Sequence, residues 1–393
     1  MISTIPGIKA EIRPYQERLV EKAITKYEQG LTSVLIEAPT GSGKSLMGLA
    51  IARLLQDKLG CGIGWVAMRR NLLAQAVKEN DKMGAGLDFV PISMFQHTLP
   101  THDHKGRPIT MLVTDEGHHE AVASMAHILN TLQPKYVLGL TATPFRTDRL
   151  KLCFNAVLKD AGIHQLISQG FLSPYRQYTI DKWTVDSVCE TYLREPHRWG
   201  KSAIYWHRRD NAIACCQRLQ AAGIRAATIF GDDPFSLREQ RLDAFESGDL
   251  QVLVNMILLT EGWDCPDLQT VFVRDSVKGP TMQMAGRVFR KYPGIPYKQV
   301  VQSKLTHWPI HRTAEAANSF LWMGDGWRSY KSSVNVDHVT ARAVTAIARA
   351  VVEMPKWLEL QKAKTQRRRR RGEREADGTG HNPNSGPAAI IHD

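Results

Sequence analysis

Residues 38–45 of this 393-residue chain read "APTGSGKS", a run of small residues that ends in a lysine and a serine. Between a strand and a helix, such a run turns its backbone amides inward around a phosphate. Lys44 would reach the β- and γ-phosphates, and Ser45 would hold Mg²⁺. The strict pattern begins with glycine, where this chain has Ala38. The segment therefore predicts an ATP site, with further contacts from Thr40, Gly41, Ser42 and Gly43.

A second stretch rich in acids and histidines, residues 111–121, reads "MLVTDEGHHEA" and allows two interpretations. Its acids and histidines could form a metal site, or its acids could end a nucleotide-binding strand. The metalloprotease pattern H-E-x-x-H fails, because the position that needs the second histidine after His119 holds Ala123. With a phosphate-binding loop upstream, Asp115 is predicted to hold Mg²⁺ through water, and Glu116 to orient or deprotonate the attacking water.

The third stretch, residues 283–290, reads "QMAGRVFR" and places Arg287 and Arg290 three residues apart. Phosphoryl transfer builds negative charge on the γ-phosphate, and arginines supplied across a cleft stabilise it. On a helix, two arginines at this spacing share a face. They lie far along the chain from Lys44, which predicts that ATP binds between two domains.

The elements that must position these residues alternate in the way of an α/β protein. Short apolar runs separated by helical patterns predict two tandem parallel sheets covered on both faces. The first set of predicted strands is 33–38, 62–68, 111–115 and 136–142, and the second is 202–207, 226–231, 251–256 and 270–275. The predicted boundaries are 1–175 for the first domain, 176–302 for a linker and the second domain, 303–365 for a mainly helical extension, and 366–393 for a disordered basic and Gly/Pro-rich tail.

The bulk composition restricts the partners. The net charge of +12 favours a polyanion such as nucleic acid, and residues 356–376 carry nine Lys/Arg against three Glu. The six cysteines form no C-x-x-C pair, which argues against a zinc knuckle or disulfide framework and fits a reducing compartment. No apolar run approaches the ~18 residues of a membrane span, and the N-terminus has no secretory pattern. These features predict a cytoplasmic protein, or a nuclear one in a eukaryotic host, with no membrane partner.

The motifs together resemble superfamily 2 of the helicases and translocases, in the order that this superfamily shows. "DEGH" at 115–118 resembles motif II, "GLTATPFR" at 139–146 resembles motif III, and "QMAGRVFR" resembles motif VI with Gln283 as its first residue. The resemblance implies two tandem RecA-like domains and ATP hydrolysis that is coupled to movement along a strand. It assigns coupling roles to His118, Thr141 and Thr143.

Other segments are similar to the motifs that touch nucleotide or nucleic acid. "IRPYQ" at 12–16 resembles the adenine-reading segment, which implies nucleotide contacts from Arg13 and Gln16. Residues 252–268 resemble motif V, in which Gly262 and Asp264 face the nucleotide. For the nucleic acid, motifs Ia, Ib, IV and V imply contacts, mainly with backbone phosphates, from Arg69, Arg70, Gln96, His207, Arg208 and Thr260.

Within the superfamily, "RPYQ", "GLTATPFR" and "GFLSPY" (170–175) are most similar to the RadD-like and type III restriction (ResIII) ATPases. The D-E-A-D pattern of RNA helicases does not fit motif II, which favours DNA as the partner. Gly117, in the variable third place of motif II, leaves the subfamily open. Three hypotheses remain: a helicase or translocase, the motor subunit of a restriction or defence complex, and an ATP-switched nucleic-acid clamp. The C-terminal extension is a candidate site for a protein partner, and the oligomeric state is open.

Overall fold

The structure is a computed structural model. It describes residues 8–9, 11–68, 70–115, 123–142, 144, 154–256, 263 and 265–330. These residues lie in the first of two compact units, Met1–Lys331 and Ser332–Asp393. None of the helices in these ranges is long and apolar enough to cross a membrane.

The first sheet has six strands that all pair in parallel. They are β1 Ser33–Glu37, β2 Gly62–Ala67, β3 Phe89–Ser93, β4 Ile109–Asp115, β5 Tyr136–Thr141 and β6 Ala156–Lys159, in the order β3-β2-β4-β5-β1-β6. The helices of this part are α1 Pro14–Glu28, α2 Lys44–Leu59, α3 Arg70–Met83, α4 Ala123–Leu132 and α5 Ile163–Ser168. The whole of β2 is buried, as expected of an apolar run in a parallel sheet covered on both faces.

The second sheet has eight strands, in the order β14-β13-β7-β12-β11-β8-β10-β9. They are β7 Tyr175–Ile180, β8 Ser202–Tyr205, β9 Ala226–Ile229, β10 Val252–Asn255, β11 Thr270–Phe272, β12 Lys298–Ser303, β13 Asn318–Trp322 and β14 Trp327–Ser329. All neighbours are parallel except β13 and β14, which form an antiparallel pair. The helices here are α6 Val185–Arg194, α7 Pro196–Trp199, α8 Arg209–Ala221, α9 Phe235–Ser247 and α10 Lys278–Gly286, with a short 3₁₀ helix at Ile310–Arg312.

The prediction of two parallel-sheet α/β domains is confirmed, whereas the local extent of the second sheet differs from the sequence prediction. Its strand β7 lies in the segment predicted as a linker. The described part of the predicted helical extension, 303–330, contributes β13, β14 and the short 3₁₀ helix rather than α-helices. β13 and β14 are short, and polar residues interrupt the apolar pattern of β7. The buried Gln177 of β7, for example, donates from Nε2 to Oε1 of Gln302 in β12, 3.3 Å away.

Candidate functional site

The phosphate-binding loop connects β1 to α2, as the sequence predicts. Gly41 and Gly43 both have φ of +79°, a left-handed conformation that favours glycine. The backbone N–H of Ala38 donates to the carbonyl of Thr141 at 2.9 Å, which ties the start of the loop to the end of β5. The loop therefore leads into the N-terminus of α2, the end of a helix that favours phosphate.

Two side chains at the start of α1 hold this loop from outside. Nε2 of Gln16 and the hydroxyl of Tyr15 both donate to the carbonyl of Ser42, at 2.8 and 2.6 Å. The Gln16 Oε1 accepts from the backbone N–H of Arg13 at 2.9 Å, so the amide is fixed at both ends. Burial raises the pKa of Tyr15, which keeps its hydroxyl protonated as a donor. A Cβ at Gly43 would lie 2.4 Å from Gln16 Nε2, so this contact requires glycine.

A cavity of about 550 Å³ lies in front of this loop. Ten of the residues predicted to act on ATP line it: Arg13, Gln16, Thr40, Gly41, Gly43, Lys44, Ser45, Asp115, Arg287 and Arg290. Ser42 is fully buried behind the loop, where its carbonyl accepts the two bonds from α1. Gln283, within α10, and Thr141, which is buried at the end of β5, do not line the cavity.

The second sheet supplies the two arginines through a segment that packs directly on the loop. A Cβ at Gly286 would lie 3.1 Å from Thr40, and a Cβ at Gly41 would lie 3.1 Å from Cγ of Arg290. The guanidinium of Arg287 donates to the carbonyl of Trp263 at 2.8 Å. Residues from both sheets therefore form one site.

The expectation that the arginines share a helix face is wrong, because α10 ends at Gly286 and both follow it. Val288 and Phe289, which separate them, are completely buried. The carbonyl of Phe289 accepts from the backbone N–H of Ser173 at 2.8 Å instead of continuing a helical bonding pattern. The arginines reach the same cavity because the chain turns there.

The side-chain oxygens of Ser45 and Asp115 suit a Mg²⁺ ion that is also bound by phosphates. Ser45 lies in the first turn of α2 and Asp115 at the end of β4, and both line the cavity. Within the ranges that the structure describes, no three His, Cys, Asp or Glu side chains are grouped to hold a metal ion. Mg²⁺ ordinarily takes one or two protein oxygens and completes its shell with substrate phosphates and water, so these two residues fit that ion.

Phe171 is one of several residues that line the cavity and were not assigned to it from the sequence. Phe171 follows α5 and lines the cavity beside Arg13, whose guanidinium carbon lies 5.3 Å from the ring centroid. The ring of Tyr15 lies 5.5 Å away on a tilted plane. The segment "GFLSPY" resembles a family pattern, but its phenylalanine has no signal of its own in sequence. The structure places an aromatic surface next to the predicted adenine contacts.

Two family models match the chain over the residues that build this site. "Type III restriction enzyme, res subunit" matches 9–92 and 87–146, and "Helicase conserved C-terminal domain" matches 183–292. The chain belongs to superfamily 2 of the helicases. The first model covers the loop and Asp115, and the second covers Arg287 and Arg290.

Similar proteins agree with membership of superfamily 2. A 51.5 kDa protein of a Lactococcus phage (isolate 7-9) is 26% identical over 260 residues, which are 59% of this chain and 57% of that protein. A Schizosaccharomyces pombe protein provisionally named as a mitochondrial ATP-dependent helicase, irc3, is 24% identical over 340 residues, 72% of this chain and 56% of its own length. The chain thus spans somewhat more than half the length of these relatives.

A solved structure shows the same fold. S. cerevisiae Dbp5 bound to RNA and ADP BeF3 superposes with a TM-score of 0.57 at 14% identity, covering 79% of this chain and 90% of that chain. At this identity the likeness concerns the fold of the superfamily 2 core alone.

Three described residues with predicted nucleic-acid contacts, Gln96, His207 and Arg208, do not line the cavity. Gln96 follows β3, where its Nε2 donates to the carbonyl of Thr98 at 2.7 Å and stabilises a turn. His207 is exposed after β8, with Nη1 of Arg274 2.9 Å from its Nδ1. Burial of the ring, followed by the charge of Arg274, lowers the pKa of His207. Arg208 is exposed and lies 3.5 Å from Asp210.

The remaining predicted residues lie outside what the structure describes. These are Arg69, Glu116, His118, Thr143, Thr260, Gly262 and Asp264, together with the side chain of Arg70 at the start of α3. Their roles stay predictions from the superfamily 2 motifs.

Proposed function

We propose that the chain is a nucleic-acid-dependent ATPase that works as a helicase or translocase, with DNA as its substrate. One observation carries the proposal: the arginine segment of the second sheet packs on the phosphate-binding loop of the first. An ATP site completed by both sheets makes hydrolysis depend on how closely they approach. Such dependence is what a motor needs to convert turnover into movement.

The roles of the residues that line the cavity follow from their places around it, and the role of Glu116 follows from its place in motif II. The amides of residues 41–45 and the Lys44 ammonium bind the β- and γ-phosphates. Bound Mg²⁺, held by Ser45 and Asp115, would neutralise charge on these phosphates. Glu116 orients the attacking water and accepts its proton. Arg287 and Arg290 stabilise the charge that develops on the γ-phosphate.

The carbonyl of Trp263 gives Arg287 a fixed partner in the second sheet. Because the Nη1–O distance is 2.8 Å, the guanidinium is held before the phosphate arrives. A held guanidinium loses less conformational entropy when it meets the transition state. The same residue is therefore a sensor of whether the two sheets have closed around ATP.

DNA is favoured over RNA by the restriction-enzyme family model and by a motif II that is not D-E-A-D. The same model keeps a second candidate, the motor subunit of a restriction or defence complex, which would translocate without separating strands. A non-hydrolysing clamp is disfavoured because the site has both Lys44 and the two arginines at one cavity.

The test is the ATPase rate with single-stranded DNA, duplex DNA, forked DNA and RNA, with Lys44→Ala as the inactive control. We expect stimulation by at least one DNA and little turnover in the control. Strand separation of the forked DNA identifies a helicase, whereas stimulation by duplex without separation identifies a translocating motor. If no nucleic acid stimulates the ATPase, the motor proposal is wrong.

Glu116→Gln and Arg287→Ala separate binding from hydrolysis. Both variants should bind a fluorescent ATP analogue while turnover falls. One loses the acceptor of the water proton and the other loses charge stabilisation in the transition state, whereas the contacts of Lys44 and the loop with the phosphates remain. Turnover that persists in Glu116→Gln would show that another group activates the water. Unchanged kinetics in Arg287→Ala would show that one sheet suffices for hydrolysis.

A further inference from the structure

A second group of cations lies away from the ATP cavity, at the ends of β11 and β12. The cations are Arg274, Lys278 and Arg312, and together with Leu305, His307 and Trp308 they form what we call the Trp308 surface. None of these residues lines the ATP cavity. Leu305 is 83% exposed, more than any other large apolar side chain among the described residues.

Asp275 joins the two segments that form this surface. Its carboxylate accepts from the backbone N–H of His307 at 2.6 Å, and its other oxygen lies 2.6 Å from the His307 ring. The hydroxyl of Thr306 adds a third bond at 3.2 Å. Burial pushes the pKa of Asp275 upward, but the bonds from His307 outweigh it, so the pKa lies below its usual value. The carboxylate is thus fully used inside the surface.

Two cations, Lys278 and Arg312, lie close to the ring of Trp308. Its indole N–H donates to the hydroxyl of Thr313 at 3.0 Å, which fixes the ring. The Lys278 ammonium lies 5.5 Å from the ring centroid and the Arg312 guanidinium carbon 5.7 Å from it. Both cations are exposed, and cation–π contact with the ring holds them near one another. The result is a pair of positive charges beside an aromatic ring, with the exposed Leu305 three residues before that ring in the chain.

The Trp308 surface is continuous with a residue that superfamily 2 motif IV implies in strand binding. Arg274 belongs to it and contacts the ring of His207 through Nη1. The buried Nε of Arg274 has no hydrogen-bond partner among the described residues. Nη1 of Arg274 also donates to the carbonyl of Asp275 at 3.2 Å, so the guanidinium links His207 to the Trp308 surface and the two can serve one elongated ligand.

We propose that the Trp308 surface binds single-stranded nucleic acid as a continuation of the strand path past His207, with phosphates at Lys278 and Arg312. The inference rests on the proposed function. It adds the position at which the strand leaves the second sheet. A single strand fits better than a duplex because its unstacked bases can cover Leu305 and the ring edge of Trp308. Segments 274–278 and 304–312 carry four Lys/Arg, of which Lys304 pairs with Asp181, and one Asp, whose carboxylate accepts hydrogen bonds from Thr306 and His307.

The test measures binding of a labelled oligothymidylate to the full chain across a salt series, by fluorescence anisotropy. The variant is Lys278→Ala/Arg312→Ala, in which both changed side chains are exposed. Each single-strand phosphate contact contributes about 0.7 to the slope of log K against log salt. Losing two contacts should reduce the slope by about 1.4 and weaken binding about 25-fold at about 0.1 M salt.

A matched control removes the same charge elsewhere. Lys58→Ala/Arg328→Ala changes two exposed cations, one at the end of α2 and one in β14, each of which pairs with a local acid. It should bind the oligonucleotide as the unchanged chain does.

The outcomes distinguish failure of the Trp308 surface as a binding site from failure of the proposed function. If the unchanged chain binds and the Lys278/Arg312 variant has the same slope and affinity, the Trp308 surface is not on the strand path. An equal loss in the control would attribute the effect to net charge and also overturn the assignment. If the unchanged chain binds no nucleic acid, the proposed function fails with it. A variant that loses duplex but not oligothymidylate binding would overturn the choice of a single strand.

Discussion

Replacing Lys298 with methionine is expected to remove a pH-dependent part of the folding free energy. Lys298 begins β12 and is completely buried. Its ammonium donates to the carbonyls of Pro266 and Leu268, at 2.7 and 2.6 Å. Pro266 lines the ATP cavity, so this buried cation fixes a loop that belongs to the site.

The magnitude follows from the pKa. Burial, only partly offset by the charge of Asp267, lowers the pKa of Lys298 from 10.5 to about 8. Between those values the unfolded chain binds a proton that the folded chain has released, so stability rises with pH. Each pKa unit corresponds to about 1.4 kcal/mol, so the free energy of unfolding should gain about 2 to 3 kcal/mol between pH 7 and 10 from this residue.

Other groups also titrate between about pH 7 and 10, so the assay must compare the free energies of unfolding of two chains. Burial raises the pKa of Cys216 to about 11, for example, and its deprotonation in the unfolded chain works in the opposite direction. Urea unfolding followed by tryptophan fluorescence should be measured for the original chain and for Lys298→Met at several pH values. The exposed Lys304→Met provides the matched control for loss of a lysine.

The difference in unfolding free energy between original chain and Lys298→Met should change by about 2 to 3 kcal/mol over these pH values, in favour of the lysine at high pH. Lys304→Met should track the original chain throughout. A difference that is constant with pH would refute the reasoning, because it would mean that Lys298 has the same pKa folded and unfolded.

Three further predictions concern the ATP site. Gln16→Ala removes a donor to the Ser42 carbonyl, worth about 1 kcal/mol, and should raise the Kd for ATP about fivefold, whereas Gln29→Ala should not change it. Phe171→Ala should raise the Kd for ATP about tenfold while pyrophosphate binding is unchanged, since base stacking is worth ~1–3 kcal/mol; equal losses for both ligands would place the ring away from the base. Gly286→Ala adds a Cβ 3.1 Å from Thr40 and should lower kcat with little effect on thermal unfolding; full activity would mean that this contact is not needed for turnover.

The fold class could be predicted because its signal is local. The buried strand β2 is an unbroken apolar run, and the loop before Lys44 carries its glycines at the positions where the structure has positive φ. Parallel topology then brings the end of β4, with Asp115, to the same edge as that loop. Residues that lie at strand ends could therefore be assigned to one site without knowledge of any contact.

What the sequence could not provide depends on contacts between distant segments. The helix expected to carry Arg287 and Arg290 ends early because Val288 and Phe289 are buried against other parts of the second sheet. Phe171 reaches the cavity because the chain after α5 crosses toward α1, and no periodicity records that crossing. The polar strand β7 is buried by pairing with β12 and β13, which lie more than a hundred residues further along.

Hydrogen bonds at both ends of α1 connect the phosphate-binding loop to the first sheet. Tyr15 and Gln16 fix the loop through Ser42, and Tyr27 near the other end of the helix donates to the carbonyl of Val137 in β5. The phosphate-binding loop is thereby tied to its own sheet by hydrogen bonds. Its approach to Gly286 is, in contrast, a close packing contact, since a Cβ at this position would lie 3.1 Å from Thr40. Under the proposed function, closure of the second sheet on the loop is the step that ATP controls, and the glycine at 286 sets how close that approach can be.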